Sequence, residues 1–348
     1  MIELATNKWQ YLFAKPTATG VLKAQPEDFI VREELGYEPS GEGEHIYLWV
    51  QKVGLNTAFV AEKIAQFCQL PLRAVTYAGR KDKHALTQQW FGVHVPGKQQ
   101  FDWHELQLEG LQILDVKRHN KKLRVGNLKG NRFEITLRDI DSTEELEQRL
   151  MQVASQGVPN YFGPQRFGET RYHANGGNLA LAQKMLANEP IKNRNKRSMA
   201  ISALRSWLFN EFVSERIAQN RWQQVCTGDV MILTGSNSFF IADDDHVAIE
   251  DRLHKNDISL SAPMWGKGNL DSQGAAQEFE QQCALSRAAV CDLLSSLGLK
   301  QERRAIRIVP ENLHWQIQSN RLEVAFSLPS GCFATSVIRE VINAHTVE

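Results

Sequence analysis

Four short stretches of this chain alternate apolar and polar residues with a period of two, and the whole middle of the sequence separates the fourth from the third. In the first, Ile46, Leu48 and Val50 share one face and Tyr47, Trp49 and Gln51 the other. Phe91, Val93 and Val95 then alternate with Gly92 and His94, and Phe133, Ile135 and Leu137 with Arg132, Glu134, Thr136 and Arg138. Near the end, Leu322, Val324, Phe326 and Leu328 repeat the pattern. A period of two marks a half-buried strand. It also points to antiparallel pairing, because doubly buried parallel strands read as continuous apolar runs.

Helical spacing lies between these strands. Val60, Ile64, Phe67 and Cys68 predict a helix over Thr57 to Leu70. A second helix has signals at both ends: Ser142 and Glu145 can form a capping box, Leu146, Leu150, Val153 and Ala154 make an apolar stripe, and Gly157 can close it. From about Pro159 to Leu297 the pattern is mostly helical, over Leu179 to Ala187, Ser198 to Ala218 and Leu285 to Leu297. A last short helix runs through Val337, Ile338 and Val341. Strands at both ends around a helical middle predict one sheet domain, 1–156 plus 307–348, interrupted by an inserted domain, 157–306.

Charge balance narrows the function. Lys plus Arg and Asp plus Glu each number 40, so a uniformly basic surface is excluded and a local basic groove is not. The five cysteines are odd in number and none is spaced C-x-x-C, which argues against a disulfide framework or a structural zinc site. The first residues lack a basic start followed by an apolar run, and no apolar stretch approaches the roughly 20 residues of a membrane span, so a cytoplasmic protein is expected. There is no G-x-x-x-x-G-K-[ST], no H-E-x-x-H and no zinc-deaminase ligand set. Asp243, Asp244 and Asp245 read as a solvated acidic loop, because a bare run lacks the ligand spacing of a calcium loop.

One connection stands out. Ala78-Gly-Arg-Lys-Asp-Lys-His84 joins two strand-like segments and sets Asp82 among Arg80, Lys81 and Lys83. Neighbouring cations favour an ionised carboxylate, which can act as nucleophile or base. On spacing alone an aspartate in a basic turn is the simpler reading. Two basic stretches offer cations along one short path: Lys117, Arg118, Lys121 and Lys122, and Lys192, Arg194, Lys196 and Arg197, with Arg205 two turns further on. Either could follow an RNA backbone or be a solvated surface. Phe29, Phe133 and Phe333 offer rings to an unstacked base, and Asn131 an amide to read its edge, although a phenylalanine taken singly reads as core.

Five segments occur in order: Thr19-Gly-Val-Leu-Lys-Ala-Gln-Pro-Glu-Asp-Phe29, Ala78 to His84, Gly130-Asn-Arg-Phe133, Val158-Pro-Asn-Tyr-Phe-Gly-Pro-Gln-Arg-Phe-Gly168 and Leu328-Pro-Ser-Gly-Cys-Phe-Ala-Thr-Ser-Val-Ile-Arg-Glu340. Together they resemble the bacterial tRNA pseudouridine synthase D family over nearly the whole chain. The resemblance implies an α+β pseudouridine synthase catalytic fold, a mixed and largely antiparallel sheet with flanking helices, plus an inserted, more helical α/β domain. It implies isomerisation of uridine 13 of tRNA with no cofactor and no metal. Asp82 of the G-x-K-D stretch matches the catalytic aspartate. Phe133 takes the place of a tyrosine in other pseudouridine synthases, and Asn131, Phe29 and Phe333 match pocket positions. Lys23 is a candidate cation beside the carboxylate, and Arg339 is its rival. The implied partner is tRNA; the sequence itself gives no sign of a membrane or an obligate protein partner, and no heptad or obvious apolar patch argues against a monomer. The competing reading is a non-catalytic RNA-binding or RNA-folding protein, which would need no Asp82. A methyltransferase is disfavoured because no glycine-rich signature for a methyl donor is found.

Overall fold

The structure is a computed structural model that describes residues 2–97, 99–169, 176–236 and 238–346. The chain begins with β1 (Thr19–Leu22), β2 (Phe29–Glu34), β3 (His45–Lys52), α1 (Thr57–Phe67), β4 (Val75–Tyr77), β5 (Leu86–His94), β6 (Leu111–His119), β7 (Gly130–Arg138) and α2 (Thr143–Gln156). It continues through β8 (Val158–Pro159), α3 (Pro164–Phe167), α4 (Gly177–Leu186), α5 (Arg194–Ala218), β9 (Val230–Leu233), β10 (Phe239–Ile241), α6 (His246–His254), β11 (Ile258–Met264), α7 (Gly274–Leu285), α8 (Ala288–Ser296) and β12 (Glu302–Ala305). It ends with β13 (Arg307–Ile308), β14 (Glu311–Gln318), β15 (Arg321–Pro329), α9 (Ala334–Val341) and β16 (Asn343–Thr346). Two compact units share these elements. One holds Thr17–Leu150, Pro310–Ala334 and the chain from Ile342; the other holds the chain up to Pro16, Met151–Val309 and Thr335–Val341.

The first unit is built on a ten-stranded sheet in the order β14-β15-β7-β2-β5-β3-β6, with β1 against β7 and β16, and β4 against β5. Its pairings are antiparallel apart from β2 with β5 and β1 with β16. The four alternating stretches are β3, β5, β7 and β15, as their period predicts. Ile46, Leu48, Val50, Phe91 and Val93 point to one face and bury against Val60 and Ile64 of α1. The opposite face of β3 is also covered at Tyr47, which is fully buried with Leu35, Ala78, Leu123 and Leu128. In α2, Leu146, Leu150 and Val153 are buried, whereas Ala154 is exposed. One residue past Val153 is about 100° further round the helix, so Ala154 rotates off the stripe. Glu145 of the expected capping box accepts the backbone N–H groups of Thr17, at 3.0 Å, and Ala18, at 2.8 Å. Burial would raise its carboxyl, but the Thr17 hydroxyl, these backbone bonds and Arg149 together pull it down to about 2. Gly157 does close α2. Its φ is +70°, and a Cβ there would stand 2.5 Å from the Ile308 carbonyl oxygen.

The second unit packs helices around α5, which buries Leu204, Trp207, Leu208, Phe209 and Phe212. It also holds an antiparallel four-stranded sheet, β10-β9-β11-β12, whose strands the helical pattern does not reveal. The helix expected over Leu285 to Leu297 starts only at Ala288. Leu285 ends α7 instead and is 73% exposed. The helix expected from Ser198 starts earlier, at Arg194, where the Asn193 side chain accepts the Lys196 N–H at 3.0 Å. No helix among the described residues is long and apolar enough to cross a membrane.

Candidate active site

Asp82 sits on the connection between β4 and β5. Its Oδ2 pairs with the Lys23 ammonium, and its Oδ1 accepts the backbone N–H of His84 at 3.1 Å. Lys23 follows β1 with a φ of +59°, in the left-handed region that non-glycine residues seldom occupy. That backbone turn aims the ammonium both at the carboxylate and over the Phe29 ring, 4.4 Å from its centroid. The two side chains are largely buried, Lys23 at 14% exposed and Asp82 at 19%. Burial alone would raise the Asp82 carboxyl. The charge and hydrogen bond of Lys23, and then the His84 N–H, outweigh burial and hold it below the ordinary carboxylate range. The site therefore carries an ionised carboxylate at neutral pH, shielded from bulk water.

The sheet supplies an aromatic floor. In the β2–β7 ladder Phe29 faces Ile135, Val31 faces Phe133 and Glu33 faces Asn131, so Phe29, Asn131 and Phe133 share one face. The Phe29 and Phe133 rings meet edge to face with centroids 6.2 Å apart, and Phe133 packs on Phe326 at 5.6 Å. Phe133 is a buried core residue, packed edge to face against the Phe29 ring over which Lys23 sits. The Oδ1 of Asn131 is buried with no hydrogen-bond partner among the described residues. An unpaired buried acceptor costs about 1–3 kcal/mol. Phe333 is half-buried in the segment joining β15 to α9. Beside the ion pair, Lys23, Ala24, Gln25, Pro26, Asp82, His84 and Thr346 line a cavity of about 230 Å³. Ordinary small-molecule pockets span about 300–1,000 Å³, so this one is small; of the expected site residues it is lined by Lys23 and Asp82 and not by Phe29, Asn131, Phe133 or Phe333.

Arg339, the rival cation, is engaged within its own unit. Its guanidinium donates to the carbonyls of Trp9 and Gln10 and to Glu340, and it lies 3.7 Å over the Tyr11 ring. The cation on Asp82 is Lys23. Among the basic candidates, Lys121, Lys122, Lys192, Arg194, Lys196 and Arg197 are exposed. Lys117 lies 3.5 Å from Asp115 and 3.7 Å from Glu38, and Arg118 donates to the carbonyls of Gly43 and Gln99. Arg205 is a strut: it donates to the carbonyls of Met264, Trp265 and Lys300 and to Glu302. A second cleft, of about 210 Å³ in the other unit, is lined by Glu3, Glu211, Glu215 and Arg287 among others. Arg287 is already paired with Glu211 at 2.7 Å, so the carboxylates there repel phosphate.

Sequence patterns did not reveal what anchors the connection that carries Asp82. The Lys81 backbone N–H donates to Thr57 Oγ1 at 3.0 Å, and its ammonium meets the buried Glu33 at 2.5 Å. Lys52 donates to the carbonyl oxygen of Asp82 itself at 2.9 Å. A usable signal existed. Glu33 follows Phe29 and Val31, and Lys52 follows Ile46, Leu48 and Val50, at the inward positions of their strands. A charged residue in an inward register is expensive unless it is paired or has a task.

Known proteins share this architecture. The family model described as tRNA pseudouridine synthase D (TruD) matches residues 5–187 and 186–341. A relative named tRNA pseudouridine synthase D in Pseudoalteromonas atlantica is 57% identical over 342 residues, covering 98% of each chain. One of the same name in Aeromonas hydrophila is 48% identical over 338 residues, covering 97% of this chain and 95% of its own. The crystal structure of a Methanosarcina mazei protein carrying the same family name superposes with a TM-score of 0.70 at 21% identity, covering 97% of this chain and 96% of that one. That likeness bears on the α+β fold.

Proposed function

The chain belongs to the tRNA pseudouridine synthase D family, and from that premise we propose that it converts uridine 13 of tRNA to pseudouridine with Asp82 as the catalytic carboxylate. Family membership makes it an RNA-modifying isomerase. The single observation that carries the chemistry is the ionised, largely buried Asp82 held by Lys23 over the Phe29 ring.

The reaction breaks the N1–C1′ bond of the uridine, turns the uracil and forms a C5–C1′ bond. The C5 proton leaves at the end and the freed N1 takes up a proton, so substrate and product have the same composition and no redox partner is consumed. The target base first leaves the stack, at a cost of a few kcal/mol. Asp82 then serves as nucleophile on ribose C1′ or as base on a ribose proton; both roles need the ionised form that Lys23 secures. Phe133 offers a π-face to the departing uracil. Stacking tolerates rotation of the base better than directional hydrogen bonds do, so the ring can hold uracil before and after it turns. The Asn131 amide lies two residues away on the same face.

The test uses a transcribed tRNA carrying tritium at uridine C5. Tritium is released in proportion to C5–C1′ bonds formed, and the same transcript with cytidine at position 13 releases none. Release that persists in the cytidine-13 transcript refutes the position. Binding without any release from several tRNAs bearing uridine 13 favours the non-catalytic RNA-binding reading.

The first turn of α5 supports an RNA contact. Arg194, Lys196 and Arg197 crowd the positive end of the helix dipole and gain nothing from it within the protein. A phosphate there would satisfy both. Changing Lys192, Arg194, Lys196 and Arg197 to glutamate is expected to weaken tRNA binding at least about tenfold at low salt. It is also expected to reduce the slope of log Kd against log salt by about 0.7–0.9 for each lost phosphate contact. Fluorescence anisotropy across a salt series reads both, and an unchanged slope removes this turn from the RNA footprint.

A further inference from the structure

Lys52 ends β3 in the same register as Ile46, Leu48 and Val50, and it is fully buried. Its ammonium donates to two backbone carbonyls, Leu55 at 2.8 Å and Asp82 at 2.9 Å. A carbonyl supplies only part of what water gives an ammonium, so burial pulls Lys52 down to about 8, with the Asp82 charge acting in the other direction. A methionine would fill the same slot without this penalty. The lysine is therefore poorly explained as a packing residue, and its bonds show what it holds.

The two carbonyls belong to the turn after β3 and to the catalytic connection. The Gly54 N–H reaches across to the Lys83 carbonyl at 3.1 Å, which ties these segments a second time. On the far side of Asp82, the Lys81 N–H is fixed on Thr57 at the start of α1 and its ammonium on Glu33 of β2, whose other oxygen accepts the Trp90 N–H at 2.9 Å. The backbone on both sides of Asp82 is thus clamped to rigid elements. Lys52 is the only one of these anchors that grips the catalytic residue's own peptide, by the carbonyl. It also brings a second positive charge beneath the connection, whereas Lys23 meets the carboxylate from the cavity side.

We propose that Lys52 is a positioning residue for Asp82: it grips the Asp82 carbonyl from within the sheet and so fixes the direction in which the carboxylate meets the ribose. The inference rests on the assignment of Asp82 as the catalytic carboxylate. Misplacing a reacting group by about 1 Å costs about 10²-fold in rate, whereas the RNA-binding surface does not involve this buried side chain.

Lys52→Met and Lys52→Gln are assayed by single-turnover tritium release with saturating tRNA, alongside tRNA affinity and Tm. Lys52→Met is expected to lower the rate about 10–100-fold with Kd within about twofold and the fold retained. Lys52→Gln keeps an N–H donor without the charge and is expected to recover part of the rate. Lys52→Ala opens a slot for a small alkylammonium ion, and added propylammonium is expected to raise its rate while leaving wild type unchanged. Rates equal to wild type in both Lys52→Met and Lys52→Gln overturn the proposal. So does a chain that folds with neither residue, because Lys52 is then a folding residue. Absence of release by wild type itself refutes the proposed reaction rather than the role of Lys52.

Discussion

Asp82→Asn lowers turnover by on the order of 10⁴-fold or more while tRNA affinity stays equal or tightens. The amide has the carboxylate's shape and keeps an oxygen for the His84 N–H, so the connection between β4 and β5 holds its course. What disappears is the negative charge. An amide is neither a useful nucleophile at C1′ nor a base for a ribose proton, and both routes stop together. The sign of the binding change separates this account from a structural one. Neutralising a carboxylate in a cleft that receives phosphate makes the local field more positive, so Kd is expected to stay level or fall. A Kd that rises in step with the lost turnover would show that Asp82 holds the site together and does no chemistry. The measurement is tritium release beside filter binding, with a melting curve for each protein. Lys23 loses its counter-ion in this variant while largely buried, so a modest fall in Tm is part of the expectation.

The sheet was legible because alternation is enforced wherever one face of a strand is buried. Phe133, Ile135 and Leu137 could not shift by one residue without turning three large apolar groups to the wrong side. In the four-stranded sheet of the second unit, β12 was illegible for a related reason. It is Glu-Arg-Arg-Ala, which reads as a polar segment, yet the Arg303 side chain is buried in an ion pair with Glu280 at 2.8 Å. The neighbouring Arg304 lies 4.1 Å over the Phe162 ring. Where a strand is covered through ion-paired or ring-stacked arginines, hydropathy carries no period. The site divides in the same way. The resemblance marked Asp82, Lys23 and the phenylalanines because they stand in short, ordered segments. Lys52 and Thr57 hold the backbone of that connection, and Glu33 the Lys81 ammonium, from positions distant in the chain; inward strand register announced only Lys52 and Glu33. Between Lys23 and Arg339 no local feature decided. The choice follows from the turn at Lys23 and from the acceptors around Arg339, which are tertiary facts.

Lys23→Met is expected to cut the single-turnover rate at neutral pH by about 10²–10³-fold, the loss typical of removing one electrostatic partner from a preorganised site. Part of that loss is protonation. In the wild type, burial pushes the Asp82 carboxyl up, and Lys23 more than reverses it. Without the ammonium, burial dominates and the carboxyl rises above its ordinary value, so the acid limb of the rate profile moves to higher pH. Raising the pH then recovers that part of the rate, and the remainder, which reflects lost orientation, persists on the plateau. The linkage has a definite sign. A carboxyl depressed in the folded state contributes stability that is present above its unfolded value of about 4 and is lost as pH falls through the folded value. Lys23→Met reverses the sign of that contribution, so its unfolding free energy falls less between neutral and strongly acid pH than the wild type's does. Lys23→Arg keeps the charge and restores the position of the acid limb. Its planar fork cannot reproduce an ammonium poised at once over Phe29 and against one carboxylate oxygen, so the plateau stays low. Rate profiles from pH 5 to 9 for the three proteins decide the matter. An acid limb that does not move in Lys23→Met would mean that some other group keeps Asp82 ionised.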